Sequence, residues 1–285
     1  MDYLRKSRAK RVGICIFVLS LVALSCTVTL TSCIKTVPIT GRSQLNSQQD
    51  KVMHRAAARA YQDIMKDVVY ATNPTQLALV QQVYFKLQEA TEEYFIEIGK
   101  QDEYNEYQWG VELIEEPTPN AFCLPNGKIV IHTGILPFTA NEDGLATLIG
   151  HEIAHALARH GAERTTEGQI ANVIGEAASA SIGPSIPTQT GASFSKMFTL
   201  GMQYGFIYPH SRLHESEADH MGLILMAMAG FNPEEAPRFW LRMASNPRPP
   251  EFLSTHPDPL NRMDQLEALV PTVDPIYKKA KLLGR

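Results

Sequence analysis

The chain has 285 residues, 44% hydrophobic and 20% charged, which is the balance of an ordinary globular protein with room for one sizeable core. Its net charge of −4 is unevenly spread: residues 1–32 carry five basic side chains and one acidic, a balance of +4, leaving −8 on the rest. So acidic a body argues against nucleic acid as a partner, because binding phosphates needs a basic face.

Taken in chain order, residues 1–32 read as an export signal. A basic stretch ends at Arg11, residues 12–24 are almost wholly apolar, and a Ser/Thr-rich run leads to Leu30-Thr31-Ser32-Cys33. The last four residues resemble a bacterial lipobox, which predicts a lipid on Cys33 as the first mature residue and a chain held at the membrane by it. An uncleaved anchor through residues 12–30 is the alternative, since that run is long enough to cross a bilayer. The other cysteines are Cys15, Cys26 and Cys123. With Cys33 lipidated, Cys123 is the one thiol left, no disulfide framework is possible, and a small buried side chain is expected there.

Residues 33–43 form a Pro/Gly/Thr tether, and residues 44–285 the folded domain. A helix is expected over 44–70 and a second over 74–94, opened by Asn73-Pro74. A strand over 109–114 is followed by the turn Pro125-Asn126-Gly127 and by the best strand of the chain, 128–132. Asn141 begins a helix running to about 159. Further helices are expected at 163–180, 196–205, 213–229, 233–244 and 260–269, with a Gly/Pro/Ser/Thr-rich loop at 181–195 and an irregular Pro-rich stretch at 246–259. The result is a mostly helical α+β domain with a small antiparallel sheet before the helix at 142.

That helix carries His151-Glu152-Ile153-Ala154-His155. Positions i and i+4 share a helix face, so His151 and His155 present two imidazoles to one metal ion, with Glu152 placed beside it to take a proton from water. The third ligand does not follow the motif at the metzincin spacing, where Ala158 and Gly161 stand. A later helix holds His214-Glu215-Ser216-Glu217-Ala218-Asp219-His220. Glu215 and Asp219 share one face and Glu217 points elsewhere. The spacing leaves two readings open: Glu215 as ligand with Asp219 fixing the tautomer of a ligand His, or a solvated acidic helix start. His160 lies off the His155 face of an unbroken helix, which suits a structural or supporting role. His132, His210, His214 and His220 read as polar surface, and His54 carries no signal.

Several motifs in order resemble the HtpX and CAAX prenyl protease family of zinc metallopeptidases. They are Val37-Pro-Ile-Thr-Gly-Arg42, Asn120-Ala-Phe, Pro125-Asn-Gly127, His151 to His155, Arg159-His160-Gly161, Ser211-Arg212, Glu215 to Asp219 and Ser254-Thr-His256-Pro257 with Arg262. The pattern is nearest to the periplasmic LoiP- and BepA-like members and the mitochondrial inner-membrane members. The resemblance implies a zincin-type (gluzincin-like) fold and one zinc ion per chain on His151, His155 and Glu215, with Glu152 as general base. It implies an endopeptidase that clears misfolded or unassembled proteins of the bacterial envelope from the periplasmic face, outer membrane above inner. A chaperone-like assembly factor that rarely cuts is the competing role. It also suggests that His256, whose backbone Pro257 biases away from helix, occupies the fourth zinc position at rest or polarises an oxyanion. A helix-start histidine without a chemical role is the plainer reading. Arg262 is then a contact for the oxyanion or a substrate carboxylate. Peptidases of this architecture hold an extended peptide along a sheet edge. Ile129-Val130-Ile131 is the candidate edge, and a fully paired core strand is the alternative.

Overall fold

The computed structural model describes residues 34–47, 49–169, 211–246 and 252–285. The expected signal and lipidation at Cys33, the loop 181–195 and the helix 196–205 lie outside these residues, as does His210.

The supposed tether is a hairpin. Strands β1 (Ile34–Thr36) and β2 (Ser43–Leu45) pair antiparallel, and the turn between them holds Ile39 and Gly41 at positive φ. Val37 is buried, and the Ile39 N–H donates to the Tyr94 hydroxyl at 2.7 Å, so the turn is packed on the domain. Helix α1 (Asp50–Met65) begins later than expected because residues 43–45 are committed to the hairpin. Helix α2 (Pro74–Glu97) starts where Asn73 accepts hydrogen bonds from the Thr75 and Gln76 N–H groups, and α3 (Gln101–Tyr104) follows it.

A three-stranded sheet comes next, built from β3 (Gly110–Ile114), β4 (Ala121–Cys123) and β5 (Lys128–His132) in the order β3-β5-β4. It is mixed where a purely antiparallel sheet was expected: β3 runs parallel to β5, and β4 antiparallel to it. The Pro125-Asn126-Gly127 turn closes the β4–β5 hairpin. Gly127 sits at φ +85°, and a Cβ there would meet the Trp109 ring at 2.7 Å. Residues 69–71 hydrogen-bond to the outer side of β3, through Ala71 N–H to Leu113 O and Glu115 N–H to Val69 O. Among the described residues this leaves β4 as the open edge.

After a short turn and α4 (Leu136–Thr139), Asn141 caps the motif helix α5 (Glu142–Leu157) by accepting from the Gly144 N–H. Residues 144–157 of α5 are all buried, so this helix is the axis of the core. The chain breaks at Ala158 and Arg159, with Arg159 at φ +55°, and is helical again over 160–169. Helix α6 (Arg212–Met228), capped by the Ser211 hydroxyl, packs along α5. The crossing is made at glycines: a Cβ on Gly222 would lie 2.9 Å from the His151 nitrogen and 3.0 Å from the Gly150 carbonyl carbon. Helices α7 (Glu235–Ala244), α8 (Phe252–Thr255) and α9 (Pro259–Leu282) complete the domain, with α9 against α6 and α7. Helix α9 outruns its expected end at 269 and continues through Pro271 and Pro275, with Val273 and Ala280 buried beyond the first of them. Among the described residues, no helix is long and apolar enough to cross a membrane.

Candidate active site

The close α5–α6 crossing lets side chains from both helices converge. His151, His155, Glu215 and His256 each aim one donor atom into a common space, with all four atoms within 4.8 Å of one another, and all four residues are buried. His151 Nε2 lies 2.9 Å from His155 Nε2, and Glu215 Oε1 lies 3.3 Å from His155 Nε2. His256 follows the single turn of α8, held there by its own N–H donating to Phe252 O. Its Nδ1 stands 3.2 Å from both His151 Nε2 and Glu215 Oε1, and its ring stacks on Phe252. The segment expected to be irregular thus contributes a short, well-packed platform.

Glu152 is 2% exposed, with the Cys123 backbone N–H of β4 favouring its charged form. Its Oε1 is buried without a hydrogen-bond partner among the described residues. Burial, together with the Glu215 charge, pushes its pKa well above the usual carboxylate range. Burial would raise Glu215 too, but the Arg262 guanidinium and the His256 ring hold it well below its ordinary value. His155 is pushed well down by burial and by His151, and burial draws His256 down to about 4 against the pull of Glu215. The neutral imidazoles and ionised carboxylate that result are the protonation states a metal needs in its ligands.

Behind the cluster, Asp219 Oδ1 lies 3.1 Å from His151 Nδ1, so the carboxylate can accept a hydrogen bond from the ring nitrogen that faces away. Arg262 donates to both oxygens of Asp219, at 2.7 and 2.5 Å, and pairs with Glu215 Oε2 at 2.5 Å. It is 2% exposed, with its guanidinium 3.4 Å from the centre of the Trp240 ring.

Four expectations need correcting. Ile129, Val130 and Ile131 are not a sheet edge: they are fully buried in β5, the central strand, paired on both sides. An unbroken β-branched run is what a doubly covered strand requires. The open edge is Ala121–Cys123, whose register with β5 turns Ala121 and Cys123 backbone groups outwards, the Ala121 N–H donating there to Asn120 Oδ1. Arg262 is buried and ion-paired rather than open to an oxyanion or a substrate carboxylate: Nε and Nη2 donate to Asp219, and Nη1 lies 2.5 Å from Glu215 Oε2. His214 is not surface. It is 1% exposed and lies 3.1 Å from Glu163, while His132 and His220 are only partly covered. The acidic helix start is not solvated either, for Glu215, Glu217 and Asp219 are all buried. His160 has the supporting role expected of it, by a route that periodicity did not show: its Nδ1 comes within 2.9 Å of His155 Nδ1 because the break at Arg159 swings it back. The motif Arg159-His160-Gly161 was the signal that marked it.

The donor types and proximity suit zinc, which takes imidazole nitrogens and carboxylate oxygens, and the orphaned Glu152 oxygen beside them suits a polar guest. A buried two-histidine, one-glutamate cluster on crossing helices, with a glutamate of the first helix at its side and a sheet edge alongside, defines the metallopeptidase class. The chain belongs to peptidase family M48, whose model matches residues 81–270. It is similar to the mitochondrial metalloendopeptidase OMA1 of Saccharomyces cerevisiae (38% identity over 61% of this chain and 50% of that one) and of Schizosaccharomyces pombe (32%, over 82% and 66%). It is also similar to the beta-barrel assembly-enhancing protease of Yersinia pestis (31%, over 60% and 38%). The chain spans about half the length of the curated relatives it matches.

Proposed function

We propose that this chain is a zinc-dependent endopeptidase of the bacterial cell envelope, attached to the membrane by a lipid on Cys33, that cleaves misfolded or unassembled envelope proteins. The observation that carries the peptidase reading is the four-donor cluster with Glu152 Oε1 unpartnered beside it. The envelope setting rests on residues 1–33 and on similarity to a bacterial protease alongside the mitochondrial ones.

His151, His155 and Glu215 would hold the zinc ion, which when bound polarises a scissile carbonyl and acidifies an attacking water. Glu152 accepts the proton of that water and returns it to the departing amine. An extended peptide adds to β4 through its main chain, which selects unfolded segments over particular sequences. Asp219, held by Arg262, keeps His151 in one tautomer. His256 competes with the attacking water for a place in the donor cluster, which favours a site kept quiet until substrate moves the ring. The same feature is what a binding protein that rarely cuts would need.

Chelator treatment of the full chain is the test. Casein cleavage should fall to background as bound zinc is stripped and return when one equivalent is restored. Cleavage that continues in fully stripped protein would end the zinc reading.

A further inference from the structure

A second buried cluster lies behind His155, made of His160, Glu163, His214 and Glu217. Three of these, His160, Glu163 and His214, have the donor types and spacing of a metal site. A cation already stands there, and it belongs to the chain. Arg42, from the turn of the β1–β2 hairpin, places Nη1 and Nη2 2.8 and 2.6 Å from the two oxygens of Glu163, and Nε 2.8 Å from Glu217 Oε2. The Thr40 hydroxyl of the same turn donates to the other Glu217 oxygen at 2.6 Å.

The direction of each hydrogen bond in this network follows from the chemistry. His155 turns Nε2 towards His151 and Glu215, so ligation leaves its proton on Nδ1. That Nδ1 faces His160 Nδ1 at 2.9 Å, which must then accept. The His160 proton therefore sits on Nε2 and is donated to Glu217 Oε2 at 3.0 Å. Glu217, an acceptor only, is fixed in turn by Arg42 and Thr40. We infer that Arg42 and Glu217 are positioning residues for the metal centre, acting on His155 through His160, so that the N-terminal hairpin sets the tautomer and aim of the second histidine ligand.

The two ligand histidines are then held in different ways. His151 meets its carboxylate, Asp219, directly, whereas His155 meets Glu217 one ring further out. Glu163 supplies an internal control. It shares the Arg42 fork, but it passes to His214 Nε2, and His214 Nδ1 has no partner among the described residues, so the hydrogen bonds of that branch stop short of the ligands, although the His214 ring stacks on His160 with centroids 4.3 Å apart.

The inference rests on the zinc reading, and its test separates the two. Zinc dissociation constants of the full chain, Glu217→Gln and Glu163→Gln are compared by competition with a chelator. The relay predicts a weakening of roughly tenfold or more for Glu217→Gln and less than about twofold for Glu163→Gln, although each removes one arm of the same ion pair. Equal constants for the two variants overturn it while leaving the zinc site intact. A wild-type chain that takes up no zinc overturns the zinc reading and the relay together. Should Glu217→Gln fail to fold, imidazole ¹⁵N shifts of the zinc-loaded wild-type chain decide: His160 protonated on Nε2 is expected, and His160 protonated on Nδ1 contradicts the relay.

Discussion

Glu215 and Glu217 stand two residues apart on α6, both buried and both held below their ordinary pKa, yet they face different rings. Glu215 → Ala should weaken zinc binding by more than about a hundredfold because a donor is lost outright. Glu217→Ala should cost roughly tenfold, the usual scale for a group behind a ligand. Chelator competition measures both, and a larger loss at Glu217 would mean that the ligand assignment is wrong. His256→Ala should raise the basal rate of casein cleavage, since its ring shares the donor cluster with His151 and Glu215. A fall of about tenfold or more would instead mark it as an oxyanion group. The i, i+4 pairs His151/His155 and Glu215/Asp219 were readable because a helix face is fixed by spacing alone. Arg262 and Arg42 were not assignable that way. Each reaches carboxylates far along the chain, and no local period reports such a partner.

At the scale of elements, the site depends on how closely α5 and α6 approach. Gly222 sits against the backbone of Gly150 and His151, where an added methyl group finds backbone atoms at 2.9 and 3.0 Å. Gly222→Ala should therefore push the helices apart, cost about 1–3 kcal/mol in denaturant unfolding, and weaken zinc binding because Glu215 rides on α6. Unchanged stability and metal affinity would show that the crossing tolerates a wider spacing. The starts of α2, α5 and α6 followed the sequence closely because caps such as Asn73, Asn141 and Ser211 are local signals. Strand pairing did not. An Ile-Val-Ile run has the same composition at an edge or a centre, and only the partners of β5 distinguish them. The face assigned to His160 was off for a related reason, although its supporting role was expected: the angle assumed a helix continuing past residues 158–159, where the helix breaks.

Across the whole molecule, the hairpin before α1 is part of the domain, tied to residues 160–169 and to α6 through Arg42. Burial alone would raise Glu217, but His160, Arg42 and Thr40 draw it to about 2, and Glu163 is likewise lowered by Arg42 and His214. A depressed carboxylate stabilises the fold fully above its unfolded pKa, near 4.5, and that contribution is lost as the pH falls towards its folded value. The thermal midpoint of the full chain should therefore drop between pH 4.5 and about 2. Glu163→Gln should show a shallower drop, and an identical pH profile would contradict that linkage. The central claim is that Glu152 does the chemistry at a zinc ion held by its neighbours. Casein cleavage by the full chain carrying Glu152→Gln, measured at a confirmed one zinc per chain, tests it most directly. A loss of at least about a hundredfold is expected, the least that a general base contributes, with zinc retained; unimpaired cleavage at full zinc loading would contradict that role for Glu152.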